Sequence, residues 1–232
     1  LIDIGNAAIR GFAETELAAA DIRFVGQQVD NDYRALLDVD GALVLRAAQV
    51  YPASTVTATV RAADRITVQQ NGTAGLIYSA AGALVLEAPV IEQNGTLRVP
   101  FGSITLKATD RLILGAGSVT SASGAGLVVP YGNLRNGEEW IAPDAKLVNG
   151  VIASLAGPPE KKVVLDAPAI ELKAGAVIDI RGGGDLHAWE AVPGPGGSHD
   201  VLAMPGVYAV VPASGPANAP NGVAVGSRIW LA

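Results

Sequence analysis

Cysteine is absent from the 232 residues. That excludes disulfides, thiolate catalysis and cysteine-based zinc sites together. It suits the cytosol, and equally an exported chain that must stay unfolded in transit. Charge is scarce: 16% of residues are Asp, Glu, Lys or Arg, against about 25% in an average domain. The net charge of −6 leaves no basic face for nucleic acid and no electrostatic anchor for an acidic membrane. Aromatic residues make up only 5%. Long apolar runs are missing as well. Two uncharged stretches lie between Arg111 and Arg135 and between Asp200 and Arg228, but they are broken by "GAGSVTSASGAG" and "PASGPANAPNG". Neither offers the apolar 20-mer that a transmembrane helix needs. No signal peptide is recognisable. The opening "LIDIGNAAIRG" starts in mid-pattern without a Met, and reads as part of a chain excised from a longer parent.

What is present is apolar and regularly punctuated. Hydrophobic residues reach 50%, which together with the low charge argues against disorder. Short runs rich in Val, Ile, Leu and Thr recur between Gly, Asn, Asp and Ser: "ALVLRA", "RITVQQNG", "ALVLEA", "SITLKATD", "RLILGAG" and "AVIDIRGGG". Their near-alternation of apolar and polar residues predicts strands. In "SITLKATD", Ile104 and Leu106 should face one side, and Thr105 and Lys107 the other. One stretch, "ETELAAAD" from Glu14 to Asp21, has the alanine content of a helix, though no clear cap or stop.

The runs also repeat. "ALVLRA" at 42–47 returns as "ALVLEA" at 83–88, 41 residues on. "AADRITV" at 62–68 returns as "ATDRLIL" at 108–114, 46 on. "LEAPVIE" from Leu86 returns as "LDAPAIE" from Leu165, 79 on. Spacings near 40 and its double, with two strand segments per unit, predict a solenoid whose coils hold roughly 20 residues. One coil cannot bury its own apolar face, so coils must stack in parallel over a common core. At ~4.8 Å per coil, the chain would make about ten coils. Leu45, Leu86 and Leu165 should then be buried at equivalent positions of different coils. Open coil ends should favour end-to-end self-association.

The blocks "LRAAQVYPAS" (45–54), "LVLEAPVIEQNGTLRVPFGSITLKATDRLILGAGSVTS" (84–121), "VVLDAPAIELKAGAVIDIRGGGDLHAWEAVPGPGGSHDVL" (163–202) and "VGSRIWLA" (225–232) resemble the body of large filamentous-haemagglutinin-type exoproteins of two-partner secretion. The resemblance spans about residues 40–232. It implies an all-β chain folded as a right-handed parallel β-helix with loop excursions. It also implies an internal shaft fragment of a bacterial protein displayed at the cell surface, associated with the outer membrane, or secreted. The partners it implies are an outer-membrane two-partner secretion transporter and a host-cell receptor or glycan. On this basis residues 1–180 form β-helix coils. Residues 181–222 form a Gly/Pro-rich excursion with short strands, and 223–232 form a strand continuing into sequence beyond.

Three stretches carry candidate chemistry. "RGGGDLHAWEAVPGPGGSHD", 181–200, offers Asp185, His187, Glu190, His199 and Asp200 as metal ligands. The spacing supplies no recognisable ligand set, and no helix or Walker "GK[ST]" follows to make a phosphate loop. An elaborated loop folded back through Trp189 and Tyr208 accounts for it. "YGNLRNGEEWIAPD", 131–144, sets acids beside Trp140. It reads as a loop whose Trp packs on a strand face, or as a sugar-binding patch of aromatic platform and carboxylates. "GPPEKKVVL", 157–165, reads as a solvated turn feeding a strand. The triplets Asn71–Thr73 and Asn94–Thr96 match the N-glycosylation pattern, but Asn-Gly also closes turns between strands. The sequence assigns no catalytic, cofactor-binding or metal-ligating residue and calls for no cofactor. A structural or adhesive shaft is the leading expectation. The alternatives are a β-helical polysaccharide lyase or hydrolase, which would need clustered carboxylates in a groove, and the carrier shaft of a contact-dependent toxin exoprotein.

Overall fold

A computed structural model describes residues 1–29, 32–148, 151–190 and 205–206. It is all-β, with no helix among the described residues and mostly parallel strands. The chain divides into two compact units, Leu1–Ala188 and Trp189–Ala232. In the second, Trp189 is exposed and Gly206 adopts a left-handed backbone, φ 77°.

The first unit is organised by three parallel ladders. The first stacks Ile2–Ile4, Asp21–Phe24, Gln49–Pro52, Thr96–Arg98, Val119–Ser121 and Val177–Asp179. The second runs from Asn6–Ile9 through Asp32–Val39 and Val56–Ala62 to the front of Ala83–Asn94. It continues through the front of Ser103–Leu114 to Lys162–Asp166. The third runs from Glu14–Ala18 through Ala42–Ala47 and Arg65–Gln70. It then takes the back of Ala83–Asn94, the back of Ser103–Leu114 and Ala169–Leu172. The two long strands therefore serve two ladders each. They turn the corner where the register slips between Ala88 and Val90, a bulge that bends the strand and admits one unpaired residue.

Alternation explains why these segments are strands. Along Ser103–Leu114, Ile104, Leu106, Ala108, Leu112 and Leu114 are buried while Thr105 and Lys107 point outward, as the sequence predicts. The three ladders enclose one apolar core in a nearly closed, barrel-like arrangement. Phe24, Val50 and Leu97 enter it from the first ladder, Leu37, Val60 and Leu86 from the second, and Leu45, Val68 and Ile91 from the third. A corner of this core is polar yet satisfied. Gln93 is fully buried, and its amide donates to the carbonyls of Gly95 at 3.1 Å and Val119 at 2.9 Å. Its side-chain oxygen accepts the Gly95 N–H at 3.0 Å. One amide thus replaces the hydrogen bonds that buried backbone groups need where the chain turns between ladders.

The pairing tests the repeats. Ile66 pairs Ile91 and Ile91 pairs Leu112, so the 46-residue repeat marks two steps along the third ladder. Leu86 pairs Leu106 and Leu106 pairs Leu165, so the 79-residue repeat is also true register. The 41-residue repeat is not. Leu45 pairs Leu17 and Val68 in the third ladder, whereas Leu86 belongs to the second. Leu45 and Leu86 are both fully buried, and Leu165 is partly buried against the same core. The expectation that the three are equivalent is therefore wrong for Leu45: identical apolar patterns occupy different faces.

Two other expectations change. "ETELAAAD" is not helical, because Glu14–Ala18 is a strand with Leu17 held opposite Leu45. Ladder pairing outweighs the alanine propensity of so short a segment. "YGNLRNGEEWIAPD" is not a loop but most of an antiparallel hairpin, Val128–Arg135 with Glu139–Ile141. Asn136 and Gly137 take φ 56° and 70° at its tip, the left-handed pair that Asn-Gly supplies in tight hairpins.

Candidate functional site

Two surfaces of the first unit gather polar chemistry. One follows the second ladder. Asp38 pairs Arg61, Arg61 pairs Glu87, Glu87 pairs Lys107 and Lys107 pairs Asp166. Arg10, at the end of the first strand of that ladder, bonds Asp38 and lies 3.3 Å from Asp40. Successive rungs therefore alternate in sign. Period-2 pleating requires this face to be solvated, since the intervening residues Leu37, Val60, Leu86 and Leu106 fill the core. Arg61 donates to Glu87 at 2.6 Å and Lys107 reaches the same carboxylate at 3.9 Å. The Glu87 hydrogen bond raises the Arg61 pKa further above its ordinary value. These side chains rim a groove of about 520 Å3 with Val39, Ala62, Ala88 and Pro89 among its lining residues.

The second surface belongs to the excursion between Val119–Ser121 and Lys162–Asp166. The hairpin carries a separate small core of Ala80, Phe101, Leu127, Val129 and Tyr131, with Trp140, Leu155 and Leu186 packed against it. Burial, with the Asp144 charge adding to it, pushes the Tyr131 hydroxyl up to about 12. Trp140 packs as a structural side chain, with its indole N–H donating to the Tyr131 carbonyl at 2.7 Å. Asp185–Trp189 joins the hairpin as a third strand beside Val128–Arg135. Phe101, Trp140, Leu155, Pro158, Asp185 and Leu186 line a pocket of about 380 Å3. Two stretches singled out separately by sequence thus converge on one cavity. The signal that they belong together lay in long-range strand pairing, which no local pattern records.

The proposed metal ligands do not assemble among the described residues. Asp185 and His187 are both exposed on one face of their strand, and Glu190 is half-buried. His199, Asp200 and Tyr208 lie outside the described residues. No group of three or more His, Asp or Glu able to hold a metal occurs among the described residues. Trp189 is 62% exposed. At Asn71–Thr73 the chain leaves the strand Arg65–Gln70, with Gly72 at φ 93°. At Asn94–Thr96, Gly95 separates two strands. Asn71 and Asn94 are exposed.

No helix among the described residues is long and apolar enough to cross a membrane. Comparison with protein-family models, with curated proteins and with solved structures finds no match.

Proposed function

We propose that the chain is a structural and adhesive shaft segment of a filamentous-haemagglutinin-like exoprotein, folded as a right-handed parallel β-helix. The parent is a bacterial protein at the cell surface, outer-membrane-associated or secreted. It is exported by an outer-membrane transporter and meets a host receptor or glycan. One observation carries the reading: three parallel ladders, advancing 20 residues from Ile4 to Phe24 and 21 from Ile91 to Leu112, share one filled core. Such stacking builds length, and leaves only the outer faces and excursions to meet partners. Parallel crossovers are right-handed in nearly all sheets, which supports the handedness. Exchange of the terminal domains would convert the same shaft into a toxin carrier.

The polysaccharide-active alternative would use the groove along the second ladder, where Asp38, Asp40 and Glu87 meet Arg10, Arg61 and Lys107. A glycosidic general acid needs a carboxyl with a raised pKa. Asp38, Asp40 and Glu87 are each committed to an ion pair with Arg10 or Arg61. Elsewhere the carboxyls of Asp3, Asp32, Glu171 and Asp179 are held below their ordinary range by donors from Arg23, Lys146, Lys173 and Arg181. The test is incubation of the full chain with neutral and acidic polysaccharides, following reducing ends and unsaturated uronate products. No product above the protein-free control is expected. Turnover that falls in Glu87→Gln would overturn the shaft reading in favour of the enzyme.

A further inference from the structure

We propose that the pocket beneath the hairpin binds a pyranose ring of a glycan, with Trp140 and Phe101 as its apolar walls and Asp185 as its hydroxyl acceptor. The proposal rests on the adhesive part of the reading above, but a failure of binding at this pocket would leave the shaft architecture standing.

The pocket is built, not incidental. Its volume of about 380 Å3 lies at the small end of ligand sites, suited to one or two sugar rings. Both aromatic walls are fixed before any ligand arrives. Trp140 lines the pocket and is tied through its indole N–H to the Tyr131 carbonyl, so its ring is held in place. Phe101 takes a left-handed backbone, φ 54°, an unusual conformation for a bulky residue. Its ring is wedged against two glycines. A Cβ at Gly124 would fall 2.2 Å from it and one at Gly184 2.9 Å from it. Only glycine at both positions lets the excursion close down on that ring. Asp185 is placed by its backbone: its N–H donates to the Leu127 carbonyl at 2.8 Å. Its exposed carboxylate makes no ion pair among the described residues.

The composition selects the ligand. A wholly apolar occupant would desolvate the Asp185 carboxylate without giving it a hydrogen bond. The ammonium of Lys161, 5.9 Å from the centre of the Phe101 ring, already sets a positive charge beside that wall, which disfavours a cation. A pyranose presents a C–H face to the aromatic walls and a pair of vicinal hydroxyls to the carboxylate, satisfying both.

The test is titration of the full chain with the methyl glycosides of glucose, galactose, mannose and N-acetylglucosamine. Binding is followed by saturation-transfer NMR and calorimetry. We expect saturable binding of at least one of them, with Kd on the order of millimolar. Asp185→Asn preserves the backbone bond and should weaken that binding about tenfold with an unchanged melt. Leu155→Trp should fill the pocket and abolish binding. Saturable binding by none of the four, or binding that both variants leave unaltered, would overturn the proposal.

Discussion

Reversing one rung of the charged ladder should destabilise the chain more than deleting it, and only at low salt. Glu87 sits between Arg61 and Lys107, within 2.6 Å of the first and 3.9 Å of the second. Exposed pairs of this kind contribute about 0.2–1 kcal/mol each, because water screens them and two long side chains must be ordered. Glu87→Gln forfeits both attractions; with the 3.9 Å contact to Lys107 at the weak end of that range, the loss is about 0.5–1 kcal/mol. Glu87→Lys also creates two like-charge contacts directly across adjacent strands, which cost similar amounts, so its total should reach about 1–2 kcal/mol. At 1 M salt the screening length falls to about 3 Å, and the difference between the variants should nearly vanish. Urea unfolding followed by far-UV circular dichroism, at low salt and at 1 M NaCl, reads this as a midpoint shift. A Glu87→Lys protein no less stable than Glu87→Gln at low salt would refute the ladder. So would a deficit indifferent to salt.

Two further outcomes follow from the two cores. Leu106 is fully buried between Leu86 and Leu165, so Leu106→Ala should cost roughly 2–5 kcal/mol. Its outward neighbour in Lys107→Ala should cost under about 1 kcal/mol; equal urea midpoints for the two would place the core wrongly. Tyr131 titrates at about 12 when folded, above the ordinary value of 10.0. A raised folded pKa means that its contribution is intact below pH 10.0 and is lost as pH climbs toward about 12. Ultraviolet titration of the tyrosines should therefore show a late component, absent in Tyr131→Phe, and the hairpin should loosen over that interval. A Tyr131→Phe titration identical to the parent's would contradict the buried placement.

The all-β class and two of the three repeat spacings were legible because apolar alternation and repetition are properties of the sequence itself. "AADRITV" and "ATDRLIL" align because each carries an Asp-Arg pair into a strand of the same ladder, where Ile66 and Leu112 flank Ile91. The hairpin was less legible. Its Asn-Gly tip was written in the sequence, but the composition of Tyr131–Asp144 is that of a loop. The strand character of that stretch depends on Leu127, Val129 and Tyr131 finding Phe101 and Ala80 from earlier parts of the chain. The same holds for Asp185–Trp189, whose strand exists only beside Val128–Arg135. Ladder partners are chosen at long range, and a glycine-rich stretch becomes a strand when an open edge needs one.

The misread repeat shows how register is enforced. "ALVLRA" and "ALVLEA" present the same inward residues and differ only in Arg46 against Glu87. Burial alone leaves the two nearly interchangeable, since Leu43, Leu45, Leu84 and Leu86 are all fully buried. The outward charge distinguishes them. Arg46 lies 3.1 Å from Glu16 in the third ladder, and Glu87 lies between Arg61 and Lys107 in the second. Exchanging the segments would set a glutamate beside Glu16 and an arginine between two cations. Skipping a strand in the second ladder would be opposed for the same reason, because Asp38 would meet Glu87 and Arg61 would meet Lys107. Each exposed pair contributes little, yet a slip converts several attractions to repulsions at once. Parallel ladders of near-identical strands have many apolar registers of similar energy, and alternating surface charge separates the native one from its neighbours.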